Sequence, residues 1–225
     1  MPAELSVIVP TLNAADELPR CLEALMEGVM GGVICELIVT DGGSEDATQD
    51  IAREAGAVLV SGAPSRGGQL RRAGSVARGD WLLVLHADTE LAPGWSEAVL
   101  AHMHTSTGPA CFRLAFRASG IMPFLVAGWA NLRSRVFGLP YGDQGLLMTR
   151  AAYDMAGGYP DQPLMEDVAL VRALSNRVGL LPVQARTSAA RYQRDGWVRR
   201  GARNLWTLTR YGLGVSPEVL ARRYR

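Results

Sequence analysis

Not one of the 23 basic residues in this 225-residue chain is a lysine. That absence excludes a Schiff-base lysine, a phosphate-loop lysine and a Ser-Lys catalytic pair. Histidine is nearly as scarce. His86, His102 and His104 fall in one short stretch, so a Ser-His-Asp arrangement has few candidates. Cysteine is limited to Cys21, Cys35 and Cys111. An odd count in apolar or helical contexts reads as reduced, buried thiols in a cytoplasmic protein. No apolar run approaches the roughly 18 residues a membrane-spanning helix needs. A strand begins almost at the N-terminus, so no signal peptide is expected.

Hydrophobic residues make up 48% of the chain, enough for a sizeable core rather than disorder. The net charge of +1 conceals an asymmetry. Residues 186–225 hold ten arginines against Asp195 and Glu218, a local +8 that leaves about −7 on residues 1–185. The tail is where an anionic partner is expected: a phosphate, a lipid surface or an acidic neighbouring face.

Short apolar strands alternate with helices through the first half. Strands are expected at Leu5–Val9, Ile34–Val39, Ala57–Val60 and Trp81–Leu85, with helices over Asp16–Glu27, Glu45–Ala55 and Gln69–Ala77. This alternation predicts an α/β fold, a mostly parallel central sheet flanked by helices. The second half is less regular. It reads as helices over Trp95–His104, Ile121–Val136 (interrupted by Pro123) and Met165–Arg177, with strands at Cys111–Phe116 and Gly145–Thr149. From Arg194 the chain is helical and basic to about Tyr211, and Pro217 opens a last short helix. No repeat or linker divides it, so residues 1–225 read as a single domain. Its parts are a nucleotide-binding half (1–90), an acceptor-binding half (91–190) and a basic helical tail (191–225).

Ligands of such sheets bind at the carboxyl ends of the strands, and four strand ends here are polar or glycine-rich. After Trp81–Leu85 come His86-Ala87-Asp88-Thr89. Residues two apart on a strand point the same way, so His86 and Asp88 can meet one ion or phosphate. Asp88 suits Mg²⁺ or Mn²⁺, and an imidazole suits Mn²⁺ better than Mg²⁺; His102 and His104 read as exposed residues of a helix end. In Asp41-Gly42-Gly43-Ser44, Ser44 can cap the following helix, and Asp41 either shapes the turn or accepts hydrogen bonds from a base or ribose. Ser65-Arg66-Gly67-Gly68-Gln69 opens a helix and either suits an anion or is a flexible loop. Glu166-Asp167 begins another helix, where two carboxylates either serve the dipole or supply a general base.

The order Val9-Pro10-Thr11-Leu12-Asn13 with Glu17, then Asp41-Gly42-Gly43-Ser44 with Asp46 and Thr48, then His86-Ala87-Asp88, then Gly157-Gly158-Tyr159 and Glu166-Asp167, resembles the family 2 glycosyltransferases of the GT-A fold, over roughly residues 4–180. Arg66–Leu70, Gly142-Asp143-Gln144-Gly145 and the arginine-rich tail resemble a bacterial subfamily of small, soluble members.

The resemblance implies an inverting sugar transfer from a nucleoside-diphosphate sugar to an acceptor hydroxyl, assisted by Mn²⁺ or Mg²⁺. Pro10, Thr11, Asn13, Glu17, Asp41 and Gly43 then line the nucleotide pocket, with Arg66, Gly67, Gln69 and Ala87 near the base or diphosphate. Asp88 matches the second aspartate of the family's Asp-x-Asp motif; His86 stands where the first would be and is a candidate metal ligand beside it. Asp167 matches the catalytic base, next to Glu166, and Asp143 and Gln144 contact donor sugar or acceptor. The tail lacks the Gln-x-x-Arg-Trp pattern of polymer-forming members.

The apolar run Ile121–Ala130 and the aromatic, basic tail allow two readings: core packing with a phosphate-facing helix, or peripheral contact with a membrane carrying a lipid-linked acceptor. No nucleic-acid partner is expected. Two other functions stay open, a nucleotidyltransferase and a catalytically degenerate sugar-nucleotide binder.

Overall fold

The computed structural model describes the backbone of residues 4–224 and the side chains through Arg222. Strands β1 (Leu5–Thr11), β2 (Ile34–Asp41), β3 (Val58–Ser61) and β4 (Trp81–Val84) alternate with helices α1 (Leu18–Met30), α2 (Thr48–Glu54) and α3 (Arg66–Val76). All four strands are parallel, and β1 lies between β2 and β4. The chain thus winds outward in both directions from β1, and the carboxyl ends of β1 and β4 open a crevice.

The sheet continues with strands from the second half. After β5 (Thr89–Leu91) and α4 (Trp95–Thr105) come β6 (Ala110–Phe116) and α5 (Ile121–Phe137). A single 3₁₀ turn, Gly142–Gln144, leads into β7 (Leu146–Thr149), α6 (Arg150–Met155), α7 (Glu166–Ala173) and β8 (Gly179–Thr187). The chain ends in α8 (Ala190–Asp195), α9 (Trp197–Gly212) and α10 (Pro217–Tyr224). Strand order across the eight-stranded sheet is β3-β2-β1-β4-β7-β6-β8-β5. Among the described residues only the β4–β7, β6–β7 and β5–β8 pairs are antiparallel, so the expected mostly parallel sheet flanked by helices is present.

Alternation along the strands feeds two apolar layers. Val7, Val9, Leu83 and Leu85 enter the layer under α1 and α4 with Trp95. Ile8, Leu82 and Val84 enter the opposite layer with Leu70 and Leu170. Both faces are covered, which is why these strands read as near-continuous apolar runs.

Several boundaries differ from expectation for identifiable reasons. Pro182 masks β8 in the sequence, but the ladder of β8 with β6 slips between Cys111 and Arg113, and a proline is tolerated at such a bulge. β5 and α6 are too short to announce themselves. Pro123 does not interrupt α5; it lies in the first turn, where no intrahelical donor is lost. α2 starts at Thr48 with Ala47 at its N-cap and no side-chain cap: the Ser44 hydroxyl donates to Asp41 instead, and Asp46 accepts from the Thr48 N–H at 3.0 Å in the turn before the helix. α7 stops at Ala173, and Gly196, at φ +82°, separates α8 from α9. Cys21 and Cys111 are buried thiols as expected, whereas Cys35 is exposed on β2. His102 is half-buried, not exposed, and its Nε2 lies 2.8 Å from the Gly108 carbonyl.

Candidate active site

β4 ends at Val84, so His86 and Asp88 do not share a strand face. They sit on a turn closed by the Thr89 N–H donating to the His86 carbonyl at 3.0 Å. The two side chains nevertheless reach the same place. Antiparallel pairing of Val84 with Leu146 sets the Gly142–Gln144 turn directly opposite. β5 pairs with the end of β8, and the Thr187 hydroxyl donates to Asp88 Oδ1 at 3.4 Å.

Two adjoining cavities meet at this turn, sharing Arg66, His86, Asp88, Ser188 and Arg191. The first runs along the end of β1 and contains Pro10, Thr11, Asn13, Glu17, Gln69 and Ala87. The second holds Tyr141, Asp143, Glu166, Asp167, Tyr192 and Asn204.

Sequence residues in the first cavity divide into lining and scaffold. Glu17 is ion-paired to Arg117. Asn13, at φ +49°, accepts from the Glu45 N–H at 2.9 Å and so clips two loops together. Gln69 is buried, and its amide donates to the Thr11 and Thr40 carbonyls, both at 2.8 Å. Asp41 is wholly buried. Its carboxylate accepts from the Thr11 and Ser44 hydroxyls, the Gly43 and Ser44 N–H groups and the Gln49 amide. That network holds the carboxyl below its usual range against burial, which pushes it up. Asp41 therefore offers no vacant oxygen to a ribose; together with Gly43, at φ +92°, it sets the shape of the loop.

The glycines opening α3 serve packing. A Cβ on Gly67 would collide with the Pro160 carbonyl, so this glycine lets the 160–162 segment lie against the helix. An anion does sit at the helix N-terminus, and it is the chain's own: the Ser65 hydroxyl donates to Asp161 Oδ1 at 2.6 Å. Arg66 turns away toward the cavities, with its Nε 3.6 Å from Glu166 Oε1.

In the second chamber, four carboxylates approach one another. Burial pushes Asp143 up to about 6, with Asp167 and Asp88 adding to the shift against the pull of Arg133. Among the described residues its Oδ1 is buried with no hydrogen-bond partner. Burial and then Asp167 push Glu166 up to about 7, opposed by Arg66. Asp167 accepts from the Gly142 and Val168 N–H groups, both at 2.7 Å. It is presented by Met165, a non-glycine residue at φ +63°, a strained conformation of the kind that collects at functional sites. Gln144 does not face the chamber; it is buried, accepting from Ser134 at 2.7 Å and donating to the Phe112 carbonyl at 3.1 Å.

His86 stays neutral, because loss of solvent and the nearby Arg66 and Arg191 charges hold its pKa well below the ordinary histidine value. A neutral imidazole beside a carboxylate is a donor set that fits Mn²⁺, and Mg²⁺ through Asp88 alone. Among the described residues no group of three His, Cys, Asp or Glu forms a complete metal cage.

The tail closes the site. Tyr192 stacks on Trp197 at 4.9 Å, and both meet Phe116 edge-on at 5.0 Å, pinning α8 and α9 to β6. Asp195 gathers Arg194, Arg200 and Arg203, so part of the tail's charge is neutralised internally. Arg191, Thr187, Ser188 and Tyr192 were not legible as individual site residues; only the arginine excess pointed to this region.

The sequence profile of Glycosyl transferase family 2 matches residues 6–120. A TPR repeat-containing protein of Synechococcus elongatus is 41% identical over 98 residues, 42% of this chain and 23% of that protein. A PGL/p-HBAD biosynthesis glycosyltransferase of Mycobacterium bovis is 39% identical over 93 residues, 38% of this chain and 36% of that protein. The matched stretch thus spans about a quarter to a third of these relatives. Glucosyl-3-phosphoglycerate synthase from Mycobacterium tuberculosis, solved with Mg²⁺ and UDP, superposes with a TM-score of 0.59 at 20% identity, over 83% of this chain and 70% of that one. TarS residues 1–349 from S. aureus superposes with a TM-score of 0.65 at 16% identity, over 92% and 65%. The profile match covers half of the chain, and with the fold these structures share it establishes that the chain belongs to glycosyl transferase family 2.

Proposed function

We propose that the protein moves a sugar from a nucleoside-diphosphate sugar to an acceptor hydroxyl with inversion at the anomeric carbon. The observation that carries this reading is the junction of the two cavities. Asp88, Arg66 and Arg191 stand where they meet, and Asp167 stands in the second. The nucleotide occupies the cavity at the end of β1, in the 1–90 half. The diphosphate lies at the junction, and the acceptor enters the chamber built mainly by the 91–190 half. These parts act as one domain, to which the tail adds Arg191.

Asp88, with His86 beside it, would hold Mn²⁺ or Mg²⁺, supplying positive charge that stabilises the leaving diphosphate. Arg66 and Arg191 add fixed cations at the same point. Asp167 takes the proton of the acceptor hydroxyl as that oxygen bonds to the anomeric carbon from the face opposite the diphosphate. The bond from the anomeric carbon to the diphosphate oxygen breaks, and its electron pair leaves with the nucleoside diphosphate. Glu166, pushed up to about 7, is partly protonated near neutral pH, which limits charge repulsion around the base. The Gly142 and Val168 N–H groups orient Asp167. The solved synthase that this fold resembles was crystallised with UDP and Mg²⁺, which supports a uridine nucleotide as the first donor to try.

The test is thermal shift with UDP, GDP, CDP and dTDP, each with and without Mn²⁺, followed by donor hydrolysis with the sugar form of whichever nucleotide binds. Stabilisation by one nucleotide, strengthened by Mn²⁺, is expected. Asp167→Asn is expected to keep that stabilisation and lose turnover. No stabilisation by any nucleotide, or turnover that survives Asp167→Asn, overturns the reading.

A further inference from the structure

Helices on a protein surface normally turn apolar residues inward. The outer faces of α5 and α9 do the reverse. Ile121, Phe124, Leu125, Trp129, Leu132 and Val136 are exposed along α5, with Phe124 at 76% and Trp129 at 51%. Their spacing of three and four residues puts them on one stripe. On α9, Val198, Leu205 and Trp206 form a second stripe, with Trp206 63% exposed. The helices pack against each other, and Trp129 and Leu205 line the groove between them. The stripes are therefore one continuous surface, larger than the scattered apolar residues a soluble face ordinarily shows.

Charge selects the occupant. Neither helix contains an aspartate or glutamate. Arg135 is exposed beside the α5 stripe, and helical spacing sets Arg199 and Arg210 next to Trp206. A twofold copy would set these arginines against one another; anionic headgroups would neutralise them. Trp129 and Trp206 supply rings of the kind that settle at headgroup depth. Among the described residues no helix is long and apolar enough to cross a membrane, and α5 and α9 would lie flat in its surface. The groove between them adjoins the chamber of Asp167, since Tyr141, Asp143, Tyr192 and Asn204 line both.

We propose that the α5–α9 face docks on an anionic bilayer surface, and that the groove admits the acceptor from it, a hydroxyl-bearing amphiphile. The acceptor route rests on the sugar-transfer reading above; the docking does not.

The test is co-sedimentation of the full chain with vesicles of phosphatidylcholine alone and of phosphatidylcholine mixed with phosphatidylglycerol, at low salt. Binding to the mixed vesicles is expected. Phe124→Ser and Trp206→Ser should each weaken it about tenfold through lost apolar burial, and Arg199→Gln about fivefold. Because these side chains lie at the surface, the melting temperature and the UDP-induced shift should not change. Absence of sedimentation with either vesicle, or binding indifferent to both apolar substitutions, overturns the proposal. So does a dimer by light scattering that Trp206→Ser dissolves, which would assign the face to a second copy. UDP stabilisation without vesicle binding removes the docking and the acceptor route from the bilayer, and leaves the sugar-transfer reading standing. Vesicle binding without stabilisation by any nucleotide removes the sugar-transfer reading and the acceptor route, and leaves the docking standing.

Discussion

The Gly142 backbone N–H donates to Asp167 Oδ2 at 2.7 Å, so the proposed base is oriented by a turn that faces the proposed metal ligand. The same glycine packs against the ring of His86, and a Cβ there would collide with Nε2. Gly142→Ala must therefore move the turn, the imidazole or both. A displacement near 1 Å at a reacting group costs on the order of 10²-fold in rate. Turnover is expected to fall by that order, while overpacking costs roughly 1–3 kcal/mol of stability. Paired kinetics and chemical denaturation check it; a variant with full turnover would detach this turn from the chemistry.

Asp88→Asn keeps the shape of the site and removes the charge that favours a divalent cation. The variant should retain metal-free nucleotide binding through Arg66 and Arg191 and lose the extra stabilisation that Mn²⁺ confers. Titration of nucleotide with and without Mn²⁺ by calorimetry measures both. Equal enhancement by Mn²⁺ in the variant would place the cation elsewhere.

Glu166 makes stability depend on pH in a defined direction. The folded chain holds this proton up to about 7, against an ordinary value of 4.5. Between those values the folded state binds more protons than the unfolded state, so this group's contribution to stability declines as pH rises through the window. Glu166→Gln cannot release a proton. Relative to the parent, its melting temperature should be higher at pH 8 than at pH 5. A difference independent of pH would mean that Glu166 titrates normally in the folded protein.

Gln69 was expected at the nucleotide, yet its amide holds the ends of β1 and β2 together through the Thr11 and Thr40 carbonyls. Gln69→Leu removes both of these bonds; the Thr11 carbonyl keeps the one it accepts from the Gly42 N–H at 2.9 Å, so the loss is roughly 0.5–1.5 kcal/mol per bond. The urea midpoint should drop accordingly with an unchanged slope. Weakened nucleotide binding without that drop would return Gln69 to direct ligand contact.

Asp195 joins α8 to α9 by accepting from Arg200 at 2.7 Å and Arg203 at 2.8 Å. Those contacts and Arg194 hold its carboxyl well below the usual range. Asp195→Asn should loosen the segment that carries Arg191 and Tyr192, lowering nucleotide affinity more at low salt than at high salt. Affinity measured across ionic strength decides it, and an unchanged affinity would show that α8 is held by its aromatic contacts alone.

The sequence by itself determined the α/β alternation, the near-continuous apolar strands and the motif order that marks the family. Those signals are local: a strand buried on both faces must be apolar throughout, and the turn at its end must be polar or glycine-rich. What each motif residue does was decided by tertiary structure. Asp41, Gly67 and Gln144 lie in motifs but are consumed in packing and internal hydrogen bonds. Arg191 and Thr187 lie in no motif yet reach the cavities, because β8 pairs with β5 and the Phe116, Tyr192 and Trp197 rings pin the tail to the sheet. The pairing of Val84 with Leu146, 62 residues apart in sequence, is what sets Gly142 and Asp167 across from His86 and Asp88. No local pattern encodes such a register; it follows from which apolar faces bury each other once the whole sheet has formed.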